Sequence, residues 1–361
     1  MSSVLVNFIK DNPNDWEEKL NNLKITVKRD GDLAIFNYSI LADFHNPLVQ
    51  EARGIIIDLA EMRVVCFPFR KFGNYGESYV DKIDWTTARV QQKVDGSIMK
   101  VWYWHNEWHI STNAVMDAGT ASCGNYGLSF KDVFERAATN VGLDYSKLNK
   151  NKTYVFELVA PENRVVCDYN GVTTLYHTGT RDNITGLESI EDIGVQHPAE
   201  YPLHSLDECI AAAKALNKEG EVVTDEGYVI VDAEWNRVKV KSPLYVAIHH
   251  VLPNGEISDE KLISLIREGD LEEILTYIPS LESRVKKMEQ KIEVINNEIF
   301  DYCYWNKKEV EDNKMSRGDW ARCHNKDKFF NFGVKYVFDG VEPNICNLTT
   351  RKLCELVSKC L

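Results

Sequence analysis

Lys93-Val94-Asp95-Gly96-Ser97 sets a lysine just ahead of a tight turn. A lysine so placed can project its amine into a pocket and act as a nucleophile. The amine must be neutral to attack, and a free lysine, with a pKa of about 10.4, is mostly protonated at pH 7. Gly96 lets the backbone come close to a ligand, and Asp95 can fix the turn through its own backbone. Taken alone, the pattern suits a surface turn as well as a catalytic one. Four more residues follow in order: Glu157 in Phe156–Pro161, Glu226 in Asp225–Val229, and Lys239 and Lys241 in Val238–Ser242. Residues two apart in a strand share a face, so Lys239 and Lys241 point to the same side. Two ammonium groups buried on one face are costly unless an anion lies between them, and a triphosphate supplies that anion. Each residue alone fits a solvated strand; all of them in this order point to phosphate chemistry.

The chemistry would be attack on a nucleotide phosphate. Neighbouring cations disfavour a lysine's charged form, and Lys239, Lys241 and Mg²⁺ would supply that field. The same charges would offset the negative charge that builds on phosphorus oxygens in the transition state. Mg²⁺ prefers few protein carboxylates together with phosphate oxygens and water, so two or three acids suffice.

Short strands must position these groups. Leu33–Ile40, Gly54–Leu59, Arg63–Phe69, Ile98–Trp104, Glu107–Thr112, Thr153–Ala160, Gly171–Thr180, Tyr228–Asp232 and Arg237–Lys241 are rich in Val, Ile, Tyr, Phe and Trp. Helices interrupt them near Ser129–Val141 and Ser205–Leu216, the second opened by a capping box, Ser205-Leu206-Asp207-Glu208. Many strands with few helices predict an α+β domain built on antiparallel sheets. Past about residue 255 the pattern turns helical. Leu281, Val285, Met288, Ile292, Ile295, Ile299 and Tyr302 are spaced alternately four and three apart, which predicts one apolar face on a long helix packed in a bundle. Further helices are expected at Asp259–Arg267, Leu271–Ile278 and Leu348–Cys360. The reading is two domains, 1–250 and 251–361, the second all-α.

The chain of 361 residues is 44% hydrophobic, enough for two cores. Its nine cysteines are scattered without a C-x-x-C pair, which suits free thiols in a reducing cytoplasm better than disulfides or zinc. No apolar run is long enough to span a bilayer, and the N-terminus does not read as a signal peptide. The formal net charge of −13 argues against a nucleic-acid coat over the whole surface but not against a local basic groove.

The residues bearing this pattern identify a resemblance. Phe36-Asn37-Tyr38, Glu51-Ala52-Arg53-Gly54-Ile55, Lys71-Phe72-Gly73-Asn74, Lys93–Ser97, Phe156–Val165 and Lys239–Ser242 fall in the order found in the covalent nucleotidyltransferases: RNA ligases, DNA ligases and mRNA capping enzymes. Within that superfamily the chain resembles the tRNA-repair RNA ligases of T-even bacteriophages, from about Phe36 to about Asp270. Ser97 after the glycine favours RNA ligases, since DNA ligases and capping enzymes usually carry Arg there.

The resemblance implies an antiparallel-sheet adenylyltransferase domain, ATP, and Mg²⁺ or Mn²⁺. Lys93 would attack the α-phosphate and release pyrophosphate. Tyr38, Arg53, Lys71, Asp95, Gly96, Glu157, Lys239 and Lys241 would surround the nucleotide, with Glu157 at the ribose and Arg53, Lys71, Lys239 and Lys241 at phosphates. Glu226 would hold a metal, and Asp270 with Tyr245 matches a second metal region. Where those ligases carry a lysine after the strand that follows the nucleophile, this chain has Ser111-Thr112-Asn113-Ala114. The implied partner is RNA with 5′-phosphate and 3′-hydroxyl ends, cleaved tRNA included, acted on by a monomer in the cytoplasm of a cell or phage host. The alternatives within the same chemistry are a DNA ligase or a GTP-using capping enzyme; outside it, a non-catalytic RNA-binding protein.

In the helical part, Lys314, Arg317, Arg322, Lys326 and Lys328 alternate with Trp320, Phe329, Phe330 and Phe332. Cations beside aromatics suit contact with RNA backbone and bases. They suit equally a solvated face beside core rings.

Overall fold

The computed structural model describes residues 3–39, 41–216, 223–250, 258–268, 271, 275 and 281–359, without the side chains of 247–250 and 268. The chain divides into two compact units, Met1–His250 with Glu272–Tyr277, and Val251–Leu271 with Ile278–Leu361.

The first unit opens with helices Val4–Asp11 and Trp16–Asn22, which the sequence pattern did not predict. They cover a four-stranded antiparallel sheet in sequence order: β1 (Ile25–Asp30), β2 (Leu33–Tyr38), β3 (Arg53–Asp58) and β4 (Arg63–Cys66). The run Ile55-Ile56-Ile57 is buried on both faces. Ile55 and Ile57 pack under the helices with Leu5, Ile9 and Trp16, while Ile56 packs with Trp102 on the other side. Double burial explains an unbroken apolar run where a half-exposed strand would alternate.

The chain continues through β5 (Arg89–Lys93), β6 (Ser97–Trp104) and β7 (Glu107–Thr112) to a two-residue pair, β8 (Ser122–Cys123) and β9 (Leu128–Ser129). Then come helix Phe130–Val141, β10 (Lys152–Val159), β11 (Thr174–Asp182), β12 (Glu188–Ser189) and β13 (Glu200–Tyr201). Helix Leu206–Ala215, β14 (Gly227–Val231), β15 (Arg237–Lys241) and helix Pro243–His250 complete the unit. A five-stranded sheet runs β12-β11-β10-β6-β7, and a four-stranded sheet runs β13-β5-β14-β15. Every ladder is antiparallel, as an α+β domain requires; a single parallel bridge joins Asn74 to Lys239.

Each of these sheets is backed by a helix. Phe134, Ala137 and Ala138 pack on Tyr154, Phe156 and Leu158, and Cys209 and Ala213 pack on Tyr228, Ile230 and Val240. The reciprocal capping box lies at Ser129 and Asp132. At the predicted box, Ser205 accepts from the Glu208 amide, but Glu208 reaches back one residue further, to the His204 amide.

The second unit holds helices Asp259–Glu268, Glu282–Asn313, Arg317–His324, Phe330–Asp339 and Thr350–Val357. The long helix runs eleven residues past the expected stripe. Cys303 and Asn306 carry the buried face onward, and Asn306 is hidden because its carbonyl oxygen accepts from the Trp320 indole at 2.9 Å. A polar residue therefore continues an apolar stripe. The expected helix Leu271–Ile278 lies largely outside the described residues. No described helix is long and apolar enough to cross a membrane.

Candidate active site

Strand register assembles the basic end of the site. β5 pairs with β14 so that Lys93 faces Gly227, and β14 pairs with β15 so that Gly227 faces Lys241 and Val229 faces Lys239. Gly227 has φ +145°, and a Cβ there would stand 2.2 Å from the Val240 carbonyl, so only glycine lets the strands close at this point. Glu226, the residue before it, is buried beside both amines. Lys93 Nζ donates to Glu226 Oε2 at 2.6 Å, and Lys241 Nζ lies 3.6 Å from Oε1. The Lys93 side chain is 20% exposed. It is thus neither in open solvent nor sealed off, and its amine is held by Glu226.

Residues 94–96 carry the chain from this sheet to the next. A Cβ on Gly96 would meet the Leu158 carbonyl at 2.3 Å, so glycine here allows the loop to lie against β10. The Asp95 carboxylate is occupied on both oxygens. Oδ2 accepts from the amides of Val166 and Cys167 at 2.9 and 2.7 Å, and Oδ1 accepts from the Tyr245 hydroxyl at 2.7 Å. The Asp95 amide donates to the Tyr169 hydroxyl at 2.8 Å. Asp95 is a brace that locks the lysine loop. Tyr245, expected from sequence near a metal, belongs to the same brace through its hydroxyl. Asp270 lies outside the described residues.

On β10, opposite Ile98, Glu157 closes the other wall. Burial pushes its carboxyl up to about 7; the Lys93 charge opposes the shift, and those of Glu226 and Asp95 add to it. Lys239 is held well below the usual lysine range by burial and by the charges of Lys71, Lys241, Lys93 and Arg53. Among the described residues neither Lys239 nor Arg53 has a carboxylate ion pair. Instead the Phe72 ring lies 5.0 Å from the Lys239 amine and 5.3 Å from the Arg53 guanidinium. The segment carrying Phe72 is bonded onto β15: Lys239 donates to the Gly73 carbonyl at 3.0 Å, and Tyr75 donates to the Lys239 carbonyl at 2.7 Å.

Arg53, Lys93, Glu157 and Lys239 line one cavity together with Phe72, Gln91, Gln92, Thr178 and Arg237. The Lys71 amine sits among the rings of Phe44, Tyr38 and Tyr79 at 4.9, 5.6 and 6.0 Å, an aromatic cage whose residues are not among those lining the cavity. Sequence reasoning missed Gln91, Gln92 and Arg237. The glutamines stand immediately before Lys93 in β5, a run not assigned as a strand. Arg237 is buried against Glu188 at 2.6 Å. A second region missed from sequence is Glu51, whose carboxylate accepts from Ser3 Oγ and the Leu5 amide, at 2.7 and 2.8 Å, and so ties the first helix to the segment leading into Arg53.

In the second unit the cationic candidates are all exposed. Arg317 pairs with Asp339 at 2.9 Å, Arg322 with Asp319, and Lys328 with Glu298 at 2.7 Å, while Lys314 caps the long helix in the left-handed conformation. Their supposed aromatic companions face inward: Trp320 and Phe329 are buried, and Trp320 stacks on Phe330 at 5.4 Å. Phe330 and Phe332 are half-buried, so two of the four rings of the expected RNA surface belong to the core.

The chain is similar to several known proteins. A protein of Autographa californica nuclear polyhedrosis virus, provisionally named a bifunctional polynucleotide kinase/RNA ligase, is 28% identical over 292 residues, covering 74% of this chain and 40% of the viral protein. The chain thus spans well under two thirds of that relative. The RNA ligase of Rhodothermus phage RM378 is 25% identical over 362 residues, with 81% of each chain covered. A solved archaeal ATP-dependent RNA ligase shares 14% identity at a TM-score of 0.45, covering 78% of this chain and 83% of its own. The RNA ligase family profile matches residues 51–245, more than half of the chain and all the strands that carry the cavity, and the chain belongs to the RNA ligase family.

Proposed function

We propose that the chain is an ATP-dependent RNA ligase in which Lys93 carries AMP. The observation behind this reading is one buried carboxylate, Glu226, shared by Lys93 and Lys241 beside the unmatched cations Lys239 and Arg53. A polyphosphate is the anion that such a cavity suits, because it can match both cations at once. The Lys93 amine forms a P–N bond to the α-phosphorus while the bond to the bridging oxygen breaks, pyrophosphate leaves and the amine proton is released. The P–N bond then breaks as an RNA 5′-phosphate oxygen attacks, giving a 5′–5′ RNA-adenylate. Finally a 3′-hydroxyl forms the phosphodiester and AMP departs. Arg53 and Lys239 hold phosphates and offset their growing charge, and fixing the amine in line supplies much of the remainder.

Glu226 is the acid suited to a divalent cation, Mg²⁺ or Mn²⁺, with Glu157 left for the ribose. The Glu226 charge adds to the raised carboxyl of Glu157, and a cation at Glu226 would relieve it. When bound, that ion supplies charge neutralisation at the phosphates. RNA with 5′-phosphate and 3′-hydroxyl ends, broken tRNA among them, is the proposed substrate. The test is sealing of matched RNA and DNA breaks with ATP or GTP: RNA with ATP should be joined, whereas preference for DNA or GTP would refute the reading.

A further inference from the structure

β6 is the central strand between β10 and β7, and its residues alternate in destination. Met99 and Val101 enter the core under helix Phe130–Val141; Trp102 enters the seam between the two sheets, against Ile35 and Ile56. Lys100 shares the Trp102 face and is completely buried. A lysine thus occupies a fully buried position, with Ser111 and Val155 as its cross-strand partners. Among the described residues it has no carboxylate partner, and its amine donates to the Gly54 carbonyl at 2.6 Å.

That carbonyl is a special one. The register between β2 and β3 slips at this point: Phe36 faces Ile55, but Asn37 faces Arg53, so Gly54 is the extra residue of a β-bulge. Gly54 has φ +76°, and a Cβ there would stand 2.5 Å from the Lys100 amine and 2.6 Å from the Asn113 carbonyl. A bulge re-aims the side chain beside it. Here that side chain is Arg53, which reaches the cavity shared by Lys93 and Lys239. The two cations also feel each other. Burial lowers the Lys100 amine to about 8; Cys66 opposes the shift and the Arg53 charge adds to it.

We infer that Lys100 is a positioning residue for nucleotide binding: by clamping the Gly54 carbonyl from inside the seam, it holds the bulge that aims Arg53 into the cavity. The inference rests on the lysyl-AMP reading above and assigns Lys100 no contact with substrate. It explains why a costly buried amine is kept where methionine or leucine would pack.

The test is single-turnover adduct formation on the full chain across a range of ATP concentrations. Lys100→Met should raise the ATP concentration giving half-maximal rate by about tenfold and change the saturated rate by less than about threefold. Arg53→Ala should show the same kind of rise, and the double variant should be no worse than Arg53→Ala alone, because one residue acts through the other. Lys100→Gln keeps a donor with a shorter reach and should fall between wild type and Lys100→Met. If Lys100→Met does not fold, Lys100→Gln decides alone: a raised ATP requirement at an unchanged unfolding temperature supports the inference, and a wild-type requirement overturns it. A wild-type requirement in Lys100→Met, or effects that multiply in the double variant, also overturns it. Wild-type protein that forms no adduct would instead refute the underlying activity.

Discussion

The two units carry their cations in opposite ways. In the first, Lys100 is fully buried and Arg53 and Lys239 are half-buried, and among the described residues none has a carboxylate partner. In the second, Arg317, Arg322 and Lys328 lie on the surface, each beside an acid. An exposed pair contributes about 0–1 kcal/mol and is screened by salt. An unmatched buried cation costs several kcal/mol, so a fold keeps one only where something else compensates. For Lys239 and Arg53 the compensation we propose is a ligand's phosphates, and for Lys100 the Gly54 carbonyl accepts from the amine. Abundance of charge therefore says less about chemistry than the absence of a partner does.

The sharpest way to break this contrast is to remove the nucleophile. Lys93→Ala should abolish transfer of label from α-labelled ATP to protein, yet still seal RNA supplied with a pre-formed 5′-adenylate, since the last step does not use the amine. Residual labelling would remove Lys93 from the centre of the account. Next in size, Lys239→Met should slow adduct formation by roughly 100-fold, the scale for loss of one charge-stabilising donor, with the unfolding temperature unchanged or raised. A fall in thermal stability matching the fall in rate would make Lys239 structural.

Smaller again is a pH effect. Glu157 titrates near 7 in the fold against 4.5 for an ordinary glutamate. The folded protein then holds a proton that the unfolded chain has lost between those values. This contribution is complete below pH 4.5 and lost as pH rises through about 7. Denaturant unfolding without nucleotide or divalent ion should show that slope, and Glu157→Gln should flatten it; an unchanged slope would mean that the carboxyl is ionised throughout. The smallest effect belongs to the second unit. Replacing Lys326 and Lys328 with alanine should leave adduct formation within about twofold and weaken sealing of a broken RNA stem-loop by a few fold, less so at high salt. Unchanged sealing at low salt would take this surface out of substrate binding.

The sequence made the chemical residues legible because the information there is local and ordered. Lys239 and Lys241 share a strand face by period alone, and the predicted bounds Glu107–Thr112 and Arg237–Lys241 coincide with β7 and β15. What stayed hidden depends on partners far along the chain. Nothing near Asp95 in sequence reveals that Tyr245 and the amides of Val166 and Cys167 bond its carboxylate. Lys100 sits where an alternating strand would expose a lysine, and only the packing of the first sheet turns that face into core. Asn306 breaks an apolar stripe in sequence and continues it in space through Trp320. That same tryptophan, beside Arg317 and Arg322 in sequence, suggested an RNA surface, but helical period sends its ring inward. Helix Val4–Asp11 is too short for periodicity to declare, and its N-terminal anchor is Glu51, more than forty residues away.

The account rests on one amine accepting the nucleotide, and peptide mapping of the adduct tests that most directly. After incubation with ATP and Mg²⁺, digestion and mass analysis should place a single AMP on the peptide containing Lys93, on the side-chain nitrogen. An AMP on any other residue, or folded protein that carries none, would contradict it.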